Sequence, residues 1–239
     1  MPNESLIQTA FSPERAEGYD REFERLHAIK DLLHLVLRVR FSGLRQDARI
    51  LVAGAGTGAE VRFLAPLFPD FRFTLVDPAE GMLAVAERHA RAEGFADRCE
   101  FHHGYVSASP QQPHDAATSI LVSHFITDAA ERQAYFEDIA RRVAPGGLLF
   151  NADLAAHTEA PTFPTLMEVW LAMMQDAASV RQRPAAPGDQ PSFRDMFGKV
   201  VAAHDPDEVE ALVKAAGFSD VVQCAQAGLV RAWVATRTG

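Results

Sequence analysis

The amino-acid sequence predicts an α/β fold: a doubly wound, mostly parallel sheet of seven strands, finished by an antiparallel hairpin and carrying a helical cap. Three observations predict it. Apolar, β-branched runs alternate with segments of helical periodicity from Arg49 to Ala152, the order of successive strand–helix units. The first unit turns from strand to helix through Gly54-Ala-Gly-Thr-Gly58. The chain closes with a helical pattern and two short apolar runs joined at Ala227-Gly228, which read as a hairpin.

Each element has its own signal. Residues 13–45 carry Leu26, Ile29, Leu33, Val36 and Leu37 at helical spacing, predicting one or two amphipathic helices. Arg49–Ala53 is a buried strand. After the glycines, Val61, Leu64 and Ala65 give a helix its apolar side, and Pro66 is expected to end it. A second strand over 71–76 delivers Asp77 at its carboxyl end. Pro78 suits the first turn of the next helix, with Met82, Leu83, Val85 and Ala86 inward and Gly94 as its stop. The third strand is Cys99–His103, followed by Gly104-Tyr105-Val106. The fourth runs over 115–122. Asp128 caps a helix predicted over 129–143. Pro145-Gly-Gly147 turns the chain into a fifth strand over 148–152 that ends at Asp153. Residues 155–205 differ in character, rich in proline, methionine and aromatics, with a helix predicted over 164–180. Asp205-Pro206-Asp207-Glu208 starts the last helix, and strands over 218–223 and 229–236 follow. The organisation expected is a helical cap (1–45), a core (46–154 with 206–239) and a helical insertion (155–205).

The first unit also points to a ligand. Three glycines on alternate positions let a ligand approach the backbone, and the helix start beyond them offers unpaired N–H groups. Asp77, nineteen residues after Gly58, stands at the tip of the neighbouring strand, where a carboxylate can accept hydrogen bonds from both hydroxyls of a ribose. An adenosine-containing ligand fits this pattern. Gly54-x-Gly56-x-x-Ala59 also satisfies the dinucleotide fingerprint with alanine in third place.

Leu51-Val-Ala-Gly-Ala-Gly-Thr-Gly-Ala-Glu60 and Leu75-Val-Asp-Pro-Ala-Glu-Gly-Met-Leu83 resemble the first two motifs of the class I S-adenosylmethionine-dependent methyltransferases, and Arg142-Val-Ala-Pro-Gly-Gly-Leu148 resembles that family's approach to its fifth strand. The resemblance covers about residues 45–155 and implies a Rossmann-like fold, S-adenosyl-L-methionine as cofactor and methyl transfer as activity. It implies cofactor contacts at Ala53, Gly54, Ala55, Gly56, Gly58, Asp77 and Pro78, and places Met82 against the adenine and Tyr19 in the segment that closes over the cofactor. The family commonly has an acid or cysteine where this chain has Ala53 and Ala55, and an acid where it has Tyr105. Adenine is then expected on the backbone of Gly104, Tyr105 and Val106, or stacked.

Methyl transfer from a sulfonium needs alignment and exclusion of water more than acid–base machinery. A base serves only a protonated nucleophile. His124 is the first choice and Asp153 the second, since the ends of the fourth and fifth strands should face the cofactor, with Ser123 beside it. The acceptor is expected there, roofed by Trp170, Met174 and Phe197 of the insertion.

Composition narrows the partners. The 239 residues carry a net charge of −9 with no basic run longer than Arg141-Arg142, which favours a small-molecule acceptor over nucleic acid without excluding the latter. No stretch reads as a membrane span or a signal peptide, and two cysteines suit a reducing cytoplasm. No metal site is expected: Cys99 and Cys224 lack ligand spacing, and His102 and His103 face opposite sides of a strand. Oligomeric state is left open. Three alternatives remain. Ala130-Glu-Arg-Gln133 and Lys214-Ala-Ala-Gly-Phe218 are similar to carboxy-S-adenosylmethionine synthase, in which an arginine of the insertion, here Arg194, recognises the added carboxylate. An NAD-dependent oxidoreductase would use the same glycine turn, although neither Tyr19 nor Tyr135 has a lysine four residues on. A non-catalytic nucleoside-binding protein is the third.

Overall fold

A computed structural model describes residues 16, 18, 20, 24–174 and 202–239. Tyr19, Arg194 and Phe197 lie outside the described residues. The elements are α1 (His27–Phe41), β1 (Arg49–Ala53), α2 (Ala59–Leu67), β2 (Arg72–Asp77), α3 (Glu80–Ala92), β3 (Cys99–His103), β4 (His114–Ile120), α4 (Ala129–Ala140), β5 (Val143–Leu154), α5 (Phe163–Met173), α6 (Pro206–Ala215), β6 (Phe218–Ala227) and β7 (Val230–Arg237). The seven strands form one sheet in the order β3-β2-β1-β4-β5-β7-β6. The first five are parallel, and β7 runs antiparallel to both β5 and β6. The predicted doubly wound sheet with its terminal hairpin is therefore present.

Burial explains why the central strands are so apolar. Ile50, Leu51, Val52 and Ala53 are all inaccessible, as a strand covered on both faces requires. On one face Ile50 and Val52 pack with Leu33, Leu37 and Phe41 of α1 and with Val61 and Leu64 of α2. On the other, Leu51 and Ala53 pack with Phe136 and Ile139 of α4 and Val213 of α6. The order of winding reverses between β1 and β4. A crevice opens there at the carboxyl ends of the strands, the place where open α/β sheets bind ligands.

Several boundaries differ from the sequence reading, each for a local reason. α2 runs one residue past Pro66, because a proline in the last turn forfeits a single N–H bond. Pro78 precedes α3 rather than starting it: the Asp77 carboxylate accepts a 2.8 Å bond from the Ala79 N–H, and this local turn delays the helix to Glu80. β4 stops at Ile120 because Leu121 takes a left-handed φ of 58° and the chain coils into a 3₁₀ turn at Ser123–Phe125. α4 ends at Ala140 although its Asp128 cap forms as expected, accepting from the Glu131 N–H at 2.9 Å. Val143 pairs instead with His114, so Pro145-Gly146-Gly147 is an irregularity inside a longer β5 rather than a turn before it. A Cβ on Gly147 would stand 2.8 Å from the Asp115 carbonyl oxygen, which is why that position is glycine. α5 ends at Met173, while the rest of the predicted 164–180 helix falls outside the described residues from 175 on. β6 is longer than the predicted 218–223, and β7 keeps its predicted length one residue further on. Their register slips twice, between Ser219 and Val222 and between Gln223 and Ala225, and Asp220 adopts a positive φ of 50°. Among the described residues no helix is long and apolar enough to cross a membrane.

Candidate functional site

The crevice is a cavity of about 1050 Å³. Its floor is the strand-to-helix turn. Gly54 and Ala55 donate to the Val76 carbonyl at 2.8 and 3.0 Å, which fixes the turn against β2. Gly54, Gly56 and Gly58 have φ of 73°, 53° and 79°, a region L side chains rarely occupy. At Gly54 a Cβ would also strike Val122 at 2.4 Å. Gly58 does different work: it faces Ala86 of α3 and is not on the cavity, so its glycine serves the packing of α2 on α3.

Asp77 closes the floor. Its two carboxylate oxygens accept from the N–H groups of Gly56 and Ala79, both at 2.8 Å, and the residue is 8% exposed on the cavity wall. Each oxygen keeps a further lone pair for a ligand. Burial raises the carboxyl above its ordinary value, against the pull of the two amides. Pro78, Met82, Gly104, Tyr105, Val106 and Ser107 continue the wall on the β3 side. Thus Gly54, Ala55, Gly56, Asp77, Pro78, Met82, Gly104, Tyr105 and Val106 come together on one surface. Ala53 does not reach it, being sealed within β1.

The second half of the cavity lies under α1. Leu26, Ile29 and Leu33 face Ile120, Phe125, Ile126 and Val230. His34 stacks on Phe63 with ring centroids 4.4 Å apart, and burial beside Lys30 lowers its pKa to about 4, so it is neutral. Asp20 anchors the N-terminal segment to the floor by accepting from Thr57 Oγ1 at 2.6 Å. Trp170 and Met174 are not on this cavity. Trp170 packs against the hairpin turn at Gly228, and the cap rather than the described part of the insertion supplies the roof.

Ser123, His124 and Asp153 are together, but behind the cavity. None of the three lines it. Asp153 is inaccessible and accepts from the His124 N–H at 2.9 Å and from the Ser123 hydroxyl; the ring nitrogen His124 Nδ1 lies 2.7 Å away. Arg132 Nε donates to Ser123 Oγ at 3.2 Å from α4. Burial alone would raise Asp153, but the bonds and charge of His124, the Ser123 bond and the Arg132 charge outweigh it and hold the carboxyl below its ordinary value. The 3₁₀ turn at Ser123–Phe125 is what swings these side chains inward, and a position at a strand end does not reveal that swing.

Sequence reading missed two residues. Tyr135 of α4 is on the cavity and donates to Ser119 Oγ at 2.9 Å. Glu60, in the first turn of α2, is 6% exposed on the cavity wall, with Thr118 Oγ1 donating at 3.4 Å. Burial pushes its pKa up to about 7. The signal was available: Glu60 falls four residues before Leu64, on the apolar stripe of its helix.

The chain is similar to known methyltransferases in sequence and in fold. Residues 50–147 match a family model described as a methyltransferase domain. The chain is 34% identical over 100 residues to a malonyl-[acyl-carrier protein] O-methyltransferase of Bacillus cereus, 42% of this chain and 36% of that protein. It is 36% identical over 103 residues to an uncharacterized protein of Synechococcus, 42% of this chain and 24% of that one. The chain therefore spans about a quarter to a third of the curated relatives it matches. In fold it is similar to an O-methyltransferase family protein of Burkholderia thailandensis, with a TM-score of 0.69 over 100% of this chain and 64% of that one at 14% identity. The glycine turn and Asp77 lie within the residues matched to the methyltransferase domain.

Proposed function

We propose that this chain is an S-adenosylmethionine-dependent methyltransferase acting on a small molecule. The observation that carries the reading is the single surface formed by the glycine turn, Asp77 and the β3 wall. The residues fit an adenosyl group. Gly56 exposes its backbone to the cavity where a side chain would intrude, and Asp77, already oriented by two amides, has acceptor capacity left for ribose hydroxyls. Pro78, Met82 and the Gly104-Tyr105-Val106 segment bracket the place of a flat base. When bound, the cofactor supplies an already activated methyl on a positive sulfur. The chain's own part is alignment and dryness. Leu26, Ile29 and Leu33 with Phe125, Ile126 and Val230 form an apolar wall suited to hold an acceptor and exclude water. His124 and Asp153 act in this reading as a brace behind the strand ends rather than as a base.

The finer assignments are part of the same reading. The cap (1–45) and core (46–154 with 206–239) share the cavity, with 155–205 as an insertion. The negative charge favours a small acceptor over nucleic acid, and the free thiols of Cys99 and Cys224 suit a reducing cytoplasm. Titration calorimetry tests the cofactor: S-adenosylmethionine is expected to bind and NAD is not. NAD binding as tightly as S-adenosylmethionine overturns the reading in favour of an oxidoreductase. Mass spectrometry of ligand retained through gentle purification separates the ordinary cofactor from a carboxylated one.

A further inference from the structure

We propose that Glu60 senses the charge on the cofactor's sulfur: it meets the sulfonium as a carboxylate and the spent thioether as a carboxylic acid, so that the cavity holds the methyl donor in preference to its product. The inference rests on the cofactor reading above. Glu60 is a buried acid on the wall of the cavity, its carboxyl met by its own backbone N–H and, at a long 3.4 Å, by Thr118 Oγ1. Among the described residues the fixed cations on that wall are Lys30 and Arg62. Arg62 is taken up by Glu93 at 2.7 Å and Asp20 at 3.5 Å, and neither cation forms an ion pair with Glu60.

The charged and titratable groups around it sharpen the point. The cavity it lines also carries Asp20 and Glu24, Lys30, Asp31 and the neutral His34 of α1, Arg62 of α2, Asp77 of β2, Glu93 and Tyr105, and Glu131, Tyr135 and Asp138 of α4, of which Asp77 and Tyr135 couple to Glu60. Asp77 opposes ionisation of Glu60, and burial opposes it more, which holds the pKa at about 7. Asp77 itself is secured by two backbone amides, whereas the hold of the Glu60 backbone N–H and of Thr118 on the Glu60 carboxylate is outweighed by burial. A carboxyl balanced between its two forms in a cavity of low dielectric responds to one arriving positive charge. Binding the sulfonium then releases the Glu60 proton to solvent, and binding the thioether leaves it in place.

Calorimetry of the whole chain with S-adenosylmethionine and S-adenosylhomocysteine, at about pH 6 and about pH 8, tests this. The α-amino groups of the two ligands titrate differently, because one lies near a positive sulfur, and the Glu60→Gln ratio supplies that baseline. Preference for the sulfonium is expected to rise about tenfold with pH, the linkage equivalent of one pKa unit, and Glu60→Gln is expected to flatten it. Repeating the wild-type titrations near pH 7, in two buffers of different ionisation enthalpy, counts the released proton without any variant. Equal proton release with both ligands, or a ratio that does not change with pH, overturns the inference alone. Binding of neither ligand overturns the cofactor reading and this inference with it.

Discussion

Two buried carboxylates sit on opposite sides of the sheet's carboxyl end, and their environments push them in opposite directions. Asp153 is sealed behind the strands and is held ionised by His124, Ser123 and Arg132. Glu60 is nearly as buried, yet its own backbone N–H and a long Thr118 bond do not offset burial, and its pKa is raised to about 7. Burial is common to both, so burial does not decide the charge. The partners do. A carboxylate with a full set of donors is a brace, and one without them is poised to change state.

The largest effect expected from this contrast is at the brace. Asp153→Asn leaves Arg132 without its buried counter-charge and should cost about 3–5 kcal/mol of stability in urea denaturation. The sign follows from the depressed pKa: the stabilisation is present above the ordinary value of 3.8 and is lost as pH falls through the lower folded value. A loss near zero at neutral pH would show that the brace carries no load. Glu60→Gln should do the reverse. Between 4.5 and about 7 the folded chain holds a proton that the unfolded chain has released, so wild-type stability falls as pH rises through that window. Without ligand at about pH 8 the glutamine variant should be more stable by up to about 3 kcal/mol, one unit being about 1.4 kcal/mol. The two chains should converge below pH 4.5. A variant less stable than wild type at both ends of the range removes the contrast.

Asp77→Ala separates ligand binding from both. Its cost in S-adenosylmethionine affinity should be about 1–3 kcal/mol by calorimetry, the scale of hydrogen bonds to a charged group. Unchanged affinity would move the ribose elsewhere. The smallest effect belongs to Tyr135, which borders the cavity while its hydroxyl reaches Ser119. Tyr135→Phe removes a neutral bond worth about 0.5–1.5 kcal/mol, and thermal denaturation should show a shift of that size.

The legible parts of the molecule are those set by short-range chemistry. The glycine turn, Asp77 at the end of its strand, the Asp128 and Asp205 helix starts and the terminal hairpin each carry local signals, and each occupies its expected place. What could not be read depends on which way a side chain points after the chain leaves a strand. Ser123 and His124 follow β4 in sequence, but one residue with positive φ, Leu121, turns them inward. Glu60 looks like an ordinary acid in the first turn of a helix, favoured there by the helix dipole; its place on the apolar stripe signals burial, and the packing under α1 makes it a cavity wall. The roof was misplaced for a similar reason. Trp170 and Met174 have the composition of a pocket, but the tertiary structure spends Trp170 on the turn at Gly228.

The irregular edge strand β6 has a consequence for the molecule in a crowded solution. β6 borders the sheet, and an open border of free N–H and C=O groups is a template on which another chain can polymerise. Two slips of register and the left-handed Asp220 break the spacing of those groups, and a strand so kinked cannot present the flat ladder that a second chain needs. The exposed Val222, at 55%, lies within this interrupted stretch. The hairpin that completes the fold is thereby shaped to terminate growth, and the irregularity that obscured its length in the sequence guards the chain against edge-to-edge aggregation.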